Sequence, residues 1–366
     1  MRANFAQVAG VANQRTDFPF LQPAFWQALQ DTQVIGAGSD WPLQVLAAGG
    51  ACLPLFTRHS HRGEYVFDQM WARAYAQMGL DYYPRLVTSI PYTPVVGPRL
   101  WGQPGDAAIQ QLWAQICDQI EVQQASSWHL LFADAPTREA FLEASGGQLI
   151  VRTDCQYVWQ DQGYGDFEGF LAALTAKRRK NIRTERRRVA EQGITVQWVA
   201  GAELTPAHWR DFFACYAMTY AVRGQQPYLP QRLFEQLGQT LPAQLAVCFG
   251  VLDGQRVAAA LFFRDAQSLY GRYWGSVAAV DFLHFELCYY QGIEYALRHG
   301  LRRFDPGTQG EHKLIRGFAP VLTESLHQIA HPRLRAAIRA FCARERQQVL
   351  AYQQAAVQAL PFRVPD

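Results

Sequence analysis

No run of about 18 uncharged apolar residues occurs in the 366-residue sequence, and no basic segment followed by an apolar stretch opens it. Neither a membrane span nor a signal peptide is expected, and a cytoplasmic address follows. Cysteine pairs are also missing. The seven cysteines (Cys52, Cys117, Cys155, Cys215, Cys248, Cys288 and Cys342) stand at least 33 residues apart and form no CxxC. That spacing excludes a disulfide framework and a cysteine-based zinc site, and leaves reduced thiols packed as small apolar side chains. Excess charge is scarce: 34 Lys and Arg against 31 Asp and Glu give +3, too little to imply nucleic acid by itself. Low-complexity linkers are absent. With 49% hydrophobic residues, the chain has enough apolar mass for a sizeable core, and its length favours two domains.

A loose internal repeat organises what is present. Leu43 to Ala48 and Ala51 to Thr57 read as strands joined through Gly49 and Gly50, whose freedom at positive φ suits a primed hairpin turn. A helix is expected from about Phe67 to Met78, stopping at Gly79, with an extended segment from Tyr83. The second half has a similar order: Gln244 to Leu252, a turn at Asp253 and Gly254, Arg256 to Phe263, then Ser268 to Trp274. A helix from Phe282 to His299 and a short strand from Leu301 to Asp305 follow. Between the halves, Leu149 to Trp159 reads as extended. A long helix follows Asp166, with apolar Phe167, Phe170, Leu171, Leu174 and Ile182 at helical spacing. Helices near Pro206 to Tyr220 and Arg333 to Gln358 complete the outline. The pattern implies an α+β fold, each half a mixed, mostly antiparallel sheet layered by helices, and the order of elements resembles one GNAT-like module per half. The expected division is 1–160, 161–330 with the basic helix and a candidate site loop, and a C-terminal helix over 331–366.

Lys177 to Arg188 reads KRRKNIRTERRR, eight basic residues with one acid, Glu185, and Ile182 as an apolar anchor. Like charges at i,i+4 repel by a few tenths of a kcal/mol per pair, roughly. So dense a stripe points to an anion such as phosphate, with Arg179, Lys180 and Arg183 as candidate contacts. CoA, a tRNA acceptor stem and a nucleotide-linked cell-wall precursor all carry such groups.

The run LxxLxxKRRKNIRxxxxxxxxxG from Leu171 to Gly193, together with HSHRGEYVFDQMWARAY from His59, YYPRLVTSIPYTPVVGPRL from Tyr82, LYGRYWG from Leu269, HFELCYYQGIEYA from His284 and FDPGTQGEHKLIRGFAP from Phe304, resembles the FemAB-like predicted N-acyltransferases. The basic run is similar to the helix that opens the second domain of Fem-type aminoacyltransferases. The resemblance implies transfer of an acyl or aminoacyl group to an amine acceptor by direct attack. It implies no tightly bound cofactor, and acyl-CoA or aminoacyl-tRNA as co-substrate. GSVAAVDFLHFE carries one glycine, Gly275, where an acetyl-CoA enzyme has a glycine-rich phosphate turn. That favours a Fem-like donor, or CoA held by the basic helix. The absence of a helical arm between Gly193 and Pro206 counts against tRNA, and the donor stays open. The alternative function is non-catalytic binding of RNA or a cell-wall precursor.

Asp305 to Gly317, DPGTQGEHKLIRG, concentrates polar groups after a predicted strand in a segment punctuated by Gly and Pro. Acyl transfer needs a base for the amine and donors for the developing oxyanion. Glu311 or His312 is the candidate base, with Asp305 beside them. Gln309, Lys313 and Arg316 are candidates for donor phosphates or negative charge. The following cluster, His284, Glu286, Tyr289, Tyr290 and Gln291, divides at 100° per residue. His284 and Gln291 then share one face, Glu286 and Tyr290 a nearly opposite one, so they are not expected to line one site. Glu286 as catalytic and Tyr290 as binding are the favoured pair. Arg272, Tyr273 and Trp274 at the preceding strand end are further candidates for binding. His59, His61 and Glu64 lack a confirming fourth group, and no metal is assigned. Tyr92, Pro94 and Gly97 are expected to shape a rigid loop beside the cleft between halves.

Overall fold

The computed structural model describes residues 17–66, 68–308 and 310–363. Among them the strands run β1 (Leu43–Ala48), β2 (Ala51–Arg58), β3 (Arg85–Thr88), β4 (Ser127–Leu130), β5 (Ile150–Gln160), β6 (Thr195–Ala200), β7 (Leu245–Leu252), β8 (Gln255–Arg264), β9 (Ser268–Ser276), β10 (Arg303–Asp305) and β11 (Ala319–Ile329). Two compact units emerge. One takes Met1–Cys155 with Leu322–Tyr352, the other Gln156–Val321 with Gln353–Asp366. The expected 331–366 helix, observed as Pro332–Gln358, is therefore divided between them, and part of β11 belongs to the first unit.

In the first unit β1 and β2 form the expected antiparallel hairpin, with Gly49 and Gly50 both at positive φ. β2 pairs antiparallel with β3, β3 parallel with β4, and β4 antiparallel with β11. The helix Asp106–Val122 separates the parallel strands and buries Ile109, Leu112, Trp113, Ile116 and Ile120 against the sheet core. Their i, i+3, i+4 spacing makes an apolar face that gains stability through packing.

In the second unit β6, β7, β8 and β9 follow one another antiparallel, β9 pairs parallel with β10, and β10 antiparallel with β5. The repeat is thus real, but its units align differently from the sequence expectation. The counterpart of the helix between β9 and β10 is Asp106–Val122, whereas the expected helix over 67–78, observed as Gln69–Gln77, precedes β3. A second correction concerns the helix after Asp166. It breaks into Phe167–Ala173 and Ala176–Glu191, with Leu174 extended at ψ 156° and Leu171 and Leu174 buried. The basic helix itself is anchored by buried Ile182 and Val189. Each contributes roughly 1.5–3 kcal/mol by leaving water.

Candidate functional site in the second unit

β10 ends at Asp305, opposite Tyr270, while β9 continues to Ser276. The parallel pairing stops there, and the loop 306–317 leaves the strand end. Asp305 is 2% exposed; its Oδ1 accepts from Gly307 N at 3.0 Å, while its Oδ2 has no hydrogen-bond partner. Lys313, also 2% exposed, returns over the loop and donates to Gly307 O at 2.6 Å and Thr308 O at 3.3 Å. Burial lowers its pKa to about 8, partly opposed by the negative charge of Asp305. A lysine in this state carries its proton at neutral pH yet releases it readily.

His312 follows from a tight local constraint. Gly310 has φ 102°, and a Cβ there would lie 2.3 Å from His312 Cε1, so a glycine lets the imidazole fold back. Its Nε2 meets Tyr289 Oη at 2.8 Å. Partial desolvation, then Arg316 and Lys313, lower its pKa, which leaves a neutral ring. His284 packs edge-on against Tyr289, and burial, with His312, Lys313 and Arg316, brings its pKa to about 4. Glu311 is exposed in the same 3-10 turn. Gln309 lies outside the described residues.

The helix after β9 is not uniform. Leu283–Phe285 and Gln291–Arg298 are α-helical, and Glu286–Tyr290 is a π-turn. The extra residue per turn invalidates the division at 100° per residue: Gln291 Nε2 donates to Glu286 Oε1 at 2.8 Å, five positions on. Glu286 is buried and receives Arg186 through Nε at 3.1–3.2 Å and Nη2 at 3.0 Å, while Gln291 Oε1 accepts from Trp198 Nε1. The Glu286 carboxylate thus accepts from both Arg186 and Gln291.

Tyr290 joins a second network. Its hydroxyl donates to Glu185 and accepts from Arg316 Nε at 2.8 Å, and Arg316 Nη2 reaches both Glu185 oxygens at 2.9 and 3.0 Å. Arg316 also donates to His312 O at 2.8 Å and lies 3.6 Å over the Phe285 ring. Glu185, the lone acid of the basic run, thereby ties the basic helix to the site loop. Sequence reasoning assigned it no role, although one carboxylate among eight cations was a signal for an internal partner.

That helix is not a uniform stripe either. Arg186 turns inward to Glu286 and Glu294, Arg183 pairs with Glu168 at 2.5 Å, Arg187 with Glu191 at 3.3 Å, and Arg179 approaches the carbonyls of Leu171 and Ala172. Lys177 and Lys180 are exposed and have no ion pair among the described residues. On β9, Tyr273 packs edge-on against Tyr216 and Phe234, and Trp274 against His284; Arg272 lies 5.6 Å over Tyr273. Gly275 has a packing reason: a Cβ would sit 1.8 Å from Cys215 O on the helix Pro206–Ala221.

The corresponding strand end in the first unit is closed. The loop after β3 brings Arg99, fully buried, into hydrogen bonds with the carbonyls of Val95, Gly97, Pro98 and Leu131, and Gly97 N bonds Phe132 O. A Cβ at Gly97 would lie 2.4 Å from Phe18, so the loop around Tyr92, Pro94 and Gly97 is tightly fitted. Glu64 is buried in ion pairs with Arg58 and Arg85. Among the described residues no three His, Cys, Asp or Glu are arranged to hold a metal, and no helix is long and apolar enough to cross a membrane.

The sequence matches the model for the FemAB-like family, described as peptidoglycan biosynthesis/recognition, over residues 3–364. The chain belongs to the FemAB-like family. Its fold is shared with FemX, at 12% identity and TM-score 0.52, covering 93% of this chain and 99% of that one. A conserved Bacteroides thetaiotaomicron protein of unknown function is similar at 11% identity and TM-score 0.53, covering 90% of this chain and 99% of that one. The C-terminal domain of a protein described as a lysylphosphatidylglycerol synthetase, from Agrobacterium fabrum, is similar at 10% identity and TM-score 0.53, over 94% and 95% of the two chains. No protein in the curated set matches the sequence. The α+β reading, with a mixed and mostly antiparallel sheet in each unit, therefore holds, and the FemAB-like membership supports an acyl- or aminoacyltransferase kind of function.

Proposed function

We propose that the chain transfers an acyl or aminoacyl group from a phosphate-bearing donor, acyl-CoA or aminoacyl-tRNA, to an amine acceptor, at the end of β10. The observation that carries this reading is the buried Lys313 beside the half-satisfied Asp305, with neutral His312 one residue away. Buried groups with displaced pKa values gather where protons must move.

The acceptor nitrogen attacks the donor carbonyl carbon and a C–N bond forms. The C–O or C–S bond to the leaving group breaks, and the amine proton passes to His312 Nδ1, the ring nitrogen left as acceptor when Nε2–H donates to Tyr289 Oη. Lys313, cationic at pH 7, faces the developing oxyanion and protonates the leaving group; its pKa of about 8 suits both states. Tyr289 holds the His312 ring. Glu185, Tyr290, Arg316, Arg186 and Glu286 act as positioning residues, holding the loop and the basic helix in register. Lys177 and Lys180, with Arg179 and Arg183, give donor phosphates a cationic approach.

Mass spectrometry of small molecules and RNA bound to the native protein tests the donor class. Stoichiometric CoA or tRNA, reduced in a Lys177→Ala/Lys180→Ala variant, is expected. Recovery of only phosphate-free ligands would overturn the reading.

A further inference from the structure

The first unit contains a polar line that the transferase reading does not use. Ser-x-His occurs twice, as Ser127–His129 on β4 and Ser325–His327 on β11, and the register sets His129 opposite His327. The period-2 alternation of a strand places each serine on the face of its histidine. The four side chains join end to end. Ser127 Oγ lies 2.7 Å from His129 Nε2, the two Nδ1 atoms are 2.7 Å apart, and His327 Nε2 lies 2.8 Å from Ser325 Oγ. Both rings are fully buried against Trp71, and desolvation together with Arg85 and Arg152 keeps them uncharged.

Neutral rings fix the direction of every proton in the line. Ser126 Oγ donates to Tyr82 O at 2.5 Å, so in its 3.2 Å contact with Ser127 it accepts. Ser127 has then spent its proton, and His129 must donate through Nε2. Its Nδ1 is left as acceptor, which requires the proton of His327 on Nδ1. His327 Nε2 in turn accepts from Ser325. The line ends at Ser325 Oγ, whose proton points inward and whose lone pairs remain.

Ser325 lines a cavity of about 90 Å³ with Arg152, Thr153, Asp154, Glu324 and Glu345. Thr153 is 2% exposed, and its Oγ1 has no hydrogen-bond partner, which in a buried site asks for a ligand or a cost. The guanidinium of Arg152 is engaged by both oxygens of Glu345 at 2.8 Å. Glu324 has looser contacts, 3.3 Å each, with Arg138 and Arg346, which are not part of the lining. The lining thus has three carboxylates to one guanidinium, a serine presenting only lone pairs, and an unsatisfied threonine. Phe132 and Val349 supply apolar wall.

We infer that this cavity binds a small primary ammonium group, its N–H bonds directed to Ser325 Oγ and Thr153 Oγ1 and its alkyl stem against Phe132 and Val349. An anion would meet the serine lone pairs and the excess carboxylates. A quaternary ammonium would offer no donor. The inference stands independently of the chemistry at β10.

Titration calorimetry of the full chain with n-propylammonium, n-propanol and tetramethylammonium decides it. Saturable binding of n-propylammonium alone is expected, weakened at least about tenfold by Thr153→Val and by Ser325→Ala, a loss typical of one hydrogen bond to a charged group. Thr153→Val conserves shape, so it remains informative if Ser325→Ala disturbs the histidine line. Absence of saturable n-propylammonium binding, equal binding of propanol or tetramethylammonium, or full affinity in the Thr153→Val variant would overturn the inference.

Discussion

Lys313 should add to the pH dependence of this protein's stability with a sign opposite to that of the buried cysteines and tyrosines, whose pKa values burial raises. Its pKa falls from 10.5 to about 8 on folding, with burial as the main cause. Between pH 8 and 10.5 the unfolded chain holds the lysine proton and the folded chain does not. The slope of unfolding free energy with pH is set by protons bound in the unfolded minus the folded state, so here it is positive. Below pH 8 both states are protonated, and the cost of burying the charge is present in full. Above 10.5 it is absent. At 1.36 kcal/mol per pKa unit, the contribution is on the order of 3 kcal/mol. The assay is urea unfolding of wild type and Lys313→Met from pH 7 to 10.5. The difference between the two cancels the tyrosines and surface lysines, leaving wild type to gain on the variant by up to about 3 kcal/mol. Parallel stability curves would refute the buried, strained ammonium, and with it the lysine's role as a poised acid.

Four further outcomes are expected. Glu185→Gln removes the carboxylate shared by Arg316 and Tyr290, and should lower unfolding free energy by about 2 kcal/mol in urea, between the values for exposed and fully buried pairs because Glu185 is partly exposed. Thr153→Val removes an unsatisfied buried hydroxyl and should raise the stability of the free protein by about 1 kcal/mol in the same measurement. Turnover should fall on acidification with an apparent pKa below 6.5, because His312 is held neutral by desolvation, Arg316 and Lys313; an acid-side limb centred above 7 in the pH–rate profile would exclude it as base. Long-range 15N–1H correlation should find His129 protonated at Nε2 and His327 at Nδ1, and any other tautomer pair contradicts the direction of the buried line.

Much of the fold was legible because turn chemistry is local. Gly49–Gly50 and Asp253–Gly254 mark both hairpins, and the strands flank them as expected. Asp305 to Gly317 also stood out, since polar groups between glycines are a composition signal. What escaped depended on partners distant in sequence. The π-turn at Glu286–Tyr290 defeats any fixed angular period, so Gln291 and Glu286 meet although 100° per residue separates them. Arg186 reads as solvated, yet its acids lie 100 and 108 residues away. Arg99 closes the first unit's strand end through carbonyls, which no side-chain motif announces. The paired Ser-x-His segments were visible, but their meaning lies in the β4–β11 register, 198 residues across the chain.

The most direct measurement supplies the purified protein with isotope-labelled aminoacyl-tRNA or acyl-CoA and a pool of primary amines, and counts label in products that survive mild alkali. Esters and thioesters are destroyed by that treatment, whereas amides persist. The account predicts alkali-stable label with wild type, and a loss of about 100-fold or more in Lys313→Met that still binds donor. Undiminished product from Lys313→Met, or no amide from either donor, would contradict it.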